Sequence, residues 1–184
     1  NVAITDNSIS ASGASGNQLL VGVDSTDAVV TGNTFSGNAS YAQLELYQPS
    51  TGSVVSNSFA GVGNVVIRDF GSDFDESQLV DGNTYSGNPA WIEGKDDVYS
   101  SVGAAMAAAS EGDTIIDADG HEIFLGTSGN DNLVGTAGDD TFVATAGNDV
   151  IDGAGGSDTF DASAQTSGIV VDLATSPFSG ISAG

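Results

Sequence analysis

Between Gly126 and Asp161 an aspartate returns to the same place every nine residues, at Asp131, Asp140, Asp149 and Asp158. The stretch divides into GTSGNDNLV, GTAGDDTFV, ATAGNDVID and GAGGSDTFD, and it holds seven aspartates with no lysine or arginine among them. Glycine keeps the fourth place each time, and Leu, Phe, Ile and Phe take the eighth. Aspartate brings a hard anionic oxygen, and glycine lets a turn adopt positive φ and aim its carbonyls inward without a Cβ clash. Oxygens of these two kinds are what calcium takes, about six to eight of them at about 2.3–2.6 Å. Carboxylates repeated without internal cations need their counter-charge from solution.

These four repeats resemble GGxGxDxUx, the calcium-binding nonapeptide of the repeats-in-toxin (RTX) family. The resemblance implies a β-roll in which two nonapeptides make one coil, so that residues 18 apart stack. Asp131 then lies over Asp149 on one edge and Asp140 over Asp158 on the other. Leu133 stacks on Ile151, and Phe142 on Phe160, inside. The resemblance also implies calcium as cofactor, held at places one, three, four and six of each repeat. Those residues are Gly126, Ser128, Gly129 and Asp131, then Gly135, Ala137, Gly138 and Asp140. Ala144, Ala146, Gly147 and Asp149 follow, and then Gly153, Gly155, Gly156 and Asp158. Two carboxylates held about 5 Å apart repel by about 3 kcal/mol at an effective dielectric near 20. An interleaved ion turns that repulsion into attraction, so Gly126–Asp161 is expected to be unfolded or loosely collapsed without metal.

Around this block the reading branches. DADGHEIFL, Asp117–Leu125, keeps Gly120, Glu122 and Phe124 at the fourth, sixth and eighth places, and Glu122 over Asp140 would make a third site. His121 admits a zinc or catalytic reading, against which stands a lone histidine exposed in an acidic turn. Thr127, Thr136 and Thr145, with Asn130, Asp139 and Asn148, form ranks of the kind some RTX rolls use to bind ice. The fourth repeat breaks those ranks with Ala154 and Ser157. Downstream, SGIVVDLATS (Ser167–Ser176) resembles the strand that often closes such a block.

The elements that must carry this block begin upstream. ITDNSI, VTGNTF, VSNSF and VDGNTY align on Asn7, Asn33, Asn57 and Asn83, each followed by a hydroxyl residue and then Ile9, Phe35, Phe59 or Tyr85. A second apolar run lies between successive asparagines, starting at Leu19, Ala42, Asn64 and Pro89. Short strands repeating in this way indicate a solenoid. Without helices between the strands, the stacking unit is a coil of strands, with asparagine amides linking rungs and aromatic rings filling the bore. Residues 1–94 resemble the right-handed parallel β-helix family; an antiparallel sandwich is the alternative. Val102, Ala105, Met106 and Ala109 predict one helix, with Ser100 or Ser101 as its cap and Gly112 beyond its end. The string SSVGAAMAAASEGDTII resembles the cap of pectin-lyase-like β-helices, which would cover an open solenoid end that otherwise invites self-association; a plain linker helix is the alternative. The expected fold is therefore an all-β solenoid: β-helix rungs over 1–94, a capping helix and transition strand over 95–125, and a calcium β-roll with closing strand over 126–184.

Composition narrows the partners. Two cationic residues, Arg68 and Lys95, stand against 25 acidic ones, a formal charge of −23, which excludes phosphate-led nucleic-acid binding. The hydrophobic share of 39% is too high for a solvated acidic tail, so the chain folds and takes cations from solution. No apolar run approaches a membrane span of about 20 residues, and the absence of cysteine removes disulfides and thiolate sites. The opening NVAITDNSIS carries no initiator Met or signal-peptide pattern, and the chain reads as a piece of a longer protein.

Whether the chain is an enzyme is left open, and no catalytic site is expected within it. If Leu44 and Leu46 point inward, Glu45 and Tyr47 point out. By the same count Val66 and Arg68 face out on the next rung, and Trp91 and Glu93 on the one after. Glu45, Tyr47, Arg68, Trp91 and Glu93 would then form a ladder suited to polysaccharide; the plainer alternative has Arg68 bridging Glu45 and Glu93. The order of parts resembles secreted mannuronan epimerases, whose catalytic rungs would lie outside this chain. The acidic loop DFGSDFDES is either solvated or a further cation site through Asp73, Asp75 and Glu76. RTX resemblance implies type I secretion and an extracellular or cell-surface place, with a structural or adhesive role for the module.

Overall fold

The computed structural model describes residues 2–11, 22–23, 27–38, 42–47, 51–165, 169–171 and 179–183. The chain is predominantly β and separates into two units, Asn1–Ala107 and Ala108–Gly184. In the first unit the chain lays down strands in threes. β1 (Ala3–Thr5), β2 (Ser8–Ala11) and β3 (Gly22–Val23) are followed by β4 (Ala28–Thr31), β5 (Thr34–Asn38) and β6 (Leu44–Tyr47). β7 (Gly52–Val55), β8 (Ser58–Val62) and β9 (Val65–Phe70) repeat the pattern. Equivalent strands pair in parallel as β1-β4-β7, β2-β5-β8 and β3-β6-β9. Of the apolar run beginning at Leu19, residues 19–21 lie outside the described residues.

The corners explain the asparagine spacing. Asp6 (φ 57°), Gly32 (φ 68°) and Ser56 (φ 59°) each adopt the left-handed conformation and redirect the chain from the first sheet to the second. The next residue is the asparagine. Asn7 N–H and Nδ2 donate to Asn33 Oδ1, Asn33 donates in the same way to Asn57, and Asn57 to Asn83, all at 2.9–3.1 Å. Two positions on, Ile9, Phe35, Phe59 and Tyr85 lie in register. The rings stack with centroids 4.8 Å apart for Phe35–Phe59 and 5.2 Å for Phe59–Tyr85. Burial pushes the Tyr85 phenol upward, and its hydroxyl donates to Leu79 O at 2.9 Å.

The fourth level departs from the simple pattern. A helix that the sequence reading did not anticipate, α1 (Glu76–Asp81), precedes β10 (Thr84–Tyr85), which joins β8 in parallel. Asp75 caps α1 by accepting the Ser77 N–H at 2.9 Å. Of the residues named for a further cation site, Asp73, Asp75 and Glu76, Asp75 caps this helix and Glu76 is its first residue. β11 (Ala90–Ile92) does not pair with β9. β12 (Val98–Tyr99) lies between them, antiparallel to both, because the chain reverses after Glu93. The anticipated helix is present as α2 (Val102–Ala108), with Ser101 Oγ accepting the Ala104 N–H at 3.2 Å and Ala105 as its buried face.

The second unit opens with an antiparallel hairpin, β13 (Thr114–Asp117) and β14 (Glu122–Leu125). Its repeats supply β15 (Asn132–Val134), β16 (Thr141–Val143), β17 (Gly147–Asp152) and β18 (Thr159–Asp161). β15 pairs in parallel with β17, β14 with β16, and β16 with β18. Phe142 and Ile151 are the buried centre, with Phe124, Leu133 and Phe160 around them. β19 (Ile169–Val171) and β20 (Ser179–Ala183) pair with each other, and β20 runs antiparallel along β17. A strand therefore forms within SGIVVDLATS; residues 167–168 and 172–176 of that segment lie outside the described residues.

Candidate metal centre

Every parallel pairing in the repeat block joins residues 18 apart. Leu133 meets Ile151, Phe142 meets Phe160, and Phe124 meets Phe142 with rings stacked at 4.9 Å. The aspartates follow the same step. Asp131 N–H donates to Asp149 Oδ1 at 3.1 Å, and Asp140 N–H to Asp158 Oδ1 at 3.0 Å. Glu122 N–H reaches Asp140 Oδ1 at 3.3 Å, so the fainter copy continues this register although its turn is a hairpin. Asp140 and Asp149 are buried, while Asp131 is half-buried and Asp158 is exposed.

Three of these carboxylates also fold back onto their own turns. Asp131 accepts the Thr127 N–H at 2.7 Å and its hydroxyl at 2.8 Å, and Asp140 accepts the Thr136 N–H at 2.6 Å. Thr145 reaches Asp149 through its hydroxyl at 3.4 Å. The threonines that could have formed an outward ice-binding rank therefore turn their hydroxyls to the aspartates. At the fifth places, Asn130 Oδ1 and Asp139 Oδ1 accept the N–H of Asn148 and Ser157, so these groups are engaged between coils as well.

The glycines give this arrangement its room. A Cβ at Gly135 would lie 2.6 Å from a carboxylate oxygen of Asp140, and one at Gly153 would overlap a carboxylate oxygen of Asp158. A Cβ at Gly147 (φ +117°) would run into Gly129 O, and one at Gly156 (φ +102°) into Gly138 O. Carboxylates and backbone carbonyls thus converge where side chains are missing. Such an all-oxygen donor set suits a hard cation of calcium type.

The proposed sugar ladder is only partly assembled. Leu44 and Leu46 are fully buried, and Glu45 pairs in register with Arg68, Leu44 with Ile67 and Tyr47 with Phe70. Glu45 is only 6% exposed and accepts the Tyr47 hydroxyl at 2.6 Å, a bond that holds the phenol above its usual range. Val66, expected to face out, is buried. Trp91 pairs with Val98 and is separated from the Arg68 strand by β12, and Glu93 is exposed beyond β11. Arg68 Nε lies 3.7 Å from Asp97 Oδ2, and Tyr47 stacks on Phe70 at 4.8 Å. Asp97 and Phe70 were missed by the sequence reading. The usable signal for Phe70 was its place two residues after Arg68, on the same side of the strand. For Asp97 it was the run Gly94-Lys95-Asp96-Asp97, in which two acidic residues follow a turn glycine and return toward the strand just left.

Residues 125–160 match the family model described as the RTX calcium-binding nonapeptide repeat, in four copies. No curated protein and no solved structure matches the chain. No helix among the described residues is long and apolar enough to cross a membrane. Oxygens converge at an 18-residue step on the same residues that match the RTX calcium-binding nonapeptide repeat, and calcium is the cofactor such repeats bind.

Proposed function

We propose that the chain is a calcium-dependent structural or adhesive module of a larger secreted protein, with a parallel β-helix over 1–94 joined through 95–125 to a β-roll over 126–184. The observation that carries this reading is the parallel 18-residue register, which sets Asp131 on Asp149 and Asp140 on Asp158. In this reading the sixth-place carboxylates and the first-, third- and fourth-place carbonyls hold the ions. Calcium is scarce inside cells and plentiful outside, so folding of the roll would follow export. The β-helix reading is supported by the three parallel ladders and the continuous asparagine column. Far-UV circular dichroism with calcium and with chelator tests the proposal. Loss of β signal on chelation, restored by calcium, is expected; a spectrum and melting curve indifferent to chelator would refute it.

A second reading, contact with polysaccharide, is favoured by one feature. Phe70 is 48% exposed and stacks on Tyr47 beside Glu45 and Arg68, offering an aromatic face next to charged groups. The comparisons lend no support to the resemblance to epimerases. Binding to alginate or pectate that Phe70→Ala weakens would support the sugar reading, and equal retention of both proteins on an alginate column would remove it.

A further inference from the structure

The hairpin between β13 and β14 gathers side-chain donors that the calcium turns do not have. Asp117, Asp119 and His121 each present one ligand atom, and the three atoms lie within 4.8 Å of one another. In the nine-residue register these are places one, three and five. The four matched repeats carry Gly or Ala at place one and Ser, Ala or Gly at place three. Those repeats rely on carbonyls there; this turn substitutes two carboxylates and an imidazole.

Asp117 is held firmly. It is 6% exposed, and its Oδ1 accepts the N–H groups of Asp119 at 2.9 Å and His121 at 3.0 Å. The hairpin is closed by Asp117 N–H to His121 O at 3.1 Å and Gly120 N–H to Asp117 O at 3.0 Å, with Gly120 at φ +82°. Oδ2 is thereby directed at His121 Nδ1, 3.3 Å away. A carboxylate oxygen and an imidazole nitrogen that face each other need a proton or a cation to make the contact favourable. Asp119 and His121 are exposed, which leaves the cluster open to ions from solution.

We propose that Asp117, Asp119 and His121 form a binding site for a divalent transition-metal ion of the zinc class, separate from the calcium turns. Calcium selects oxygen-only shells, whereas imidazole shifts preference toward zinc, nickel and copper. Two carboxylates and one imidazole leave coordination positions for water.

His121 is the only histidine, so its imidazole signals in a proton–nitrogen NMR spectrum report this site alone. The test uses the full chain without a histidine tag, in excess calcium, titrated with zinc sulfate and followed by NMR and calorimetry. One equivalent of zinc is expected to shift the imidazole, and a hundredfold excess of calcium is expected to leave the shift in place. Asp119→Ala, at an exposed position, and Asp117→Asn, which keeps the Oδ1 acceptor, are each expected to weaken zinc binding at least tenfold with the amide spectrum otherwise preserved. The proposal is overturned by an imidazole that does not respond. Equal zinc affinity in wild type and Asp119→Ala, which would mean that the histidine acts alone, or displacement of zinc by calcium, overturns it as well.

Discussion

Asn57 is 1% exposed and its side chain serves five hydrogen bonds at once: it accepts two from Asn33 and donates to Val30 O, Val55 O and Asn83 Oδ1. Truncation would strand backbone carbonyls and the Asn33 amide away from water, at about 1–3 kcal/mol for each buried group left unpaired. Asn57→Ala is therefore expected to cost about 3 kcal/mol or more in urea unfolding. Asn7→Ala, at the exposed end of the same column, should cost about 1 kcal/mol; equal losses at the two positions would contradict a shared ladder. The column was readable in the sequence because one residue type must recur at a corner to bond to its own copy. Glu45, Arg68 and Asp97 were less readable. The alternation of strand side chains placed Glu45 and Arg68 on one face, but the turn at Gly94 signals only that the chain reverses, not that Asp97 then lands beside Arg68.

At the scale of the turn, glycines in identical places are not equivalent. Gly129 and Gly138 have only a threonine hydroxyl at 3.5–3.6 Å where a Cβ would stand, whereas Gly147 and Gly156 would drive theirs into the carbonyl of the coil before. Alanine at 147 or 156 must also hold a positive φ, a strain of about 1–3 kcal/mol before the clash is added. Gly147→Ala and Gly156→Ala should abolish calcium-induced folding at calcium levels that saturate wild type, while Gly129→Ala and Gly138→Ala should shift the midpoint less than twofold. Circular dichroism titrated with calcium separates the two pairs. Among the helices, Asp75→Ala should cost about 1 kcal/mol as the loss of a cap. The nine-residue step revealed the 18-residue pairing distance because the apolar eighth place packs on its equivalent two repeats on, Leu133 with Ile151 and Phe142 with Phe160. The sequence reading missed α1 because a six-residue helix is too short for an apolar period, although Asp75 followed by Gln78 is a capping pattern. It also missed the insertion of β12, since the nearest partner of a strand after a reversal is decided by space rather than by spacing.

At the scale of the molecule, the two units should answer acidification in opposite directions. In the first, burial raises the carboxyls of Asp69, Glu76 and Asp97 above their ordinary range, and neighbouring carboxylates including Asp96 add to the effect. A carboxyl raised in the folded state takes up a proton on folding. Its contribution is fully present below the unfolded carboxyl range, near 4, and is lost as pH rises through the raised folded value. Asp75 acts the other way, since its hydrogen bonds from Ser77 lower it, but that contribution is lost only at more acid pH. Stability of the first unit should therefore increase as pH falls through the raised folded values toward the ordinary carboxylate range. Relief of self-repulsion in a chain of charge −23 works in the same direction. In the second unit the ligating carboxylates must be ionised to hold calcium, so protons compete with the ion. Asp161, lowered by its bonds from Ser163, likewise loses its contribution as pH falls. Trp91, the single tryptophan, reports the first unit by fluorescence, and the calcium midpoint reports the second. As pH falls toward the ordinary carboxylate range the fluorescence melting temperature should rise, while the calcium midpoint moves to higher concentration. Asp69→Asn removes one raised carboxyl and should flatten the rise. A melting temperature for Trp91 that falls on acidification would contradict the raised carboxyls assigned to Asp69, Glu76 and Asp97.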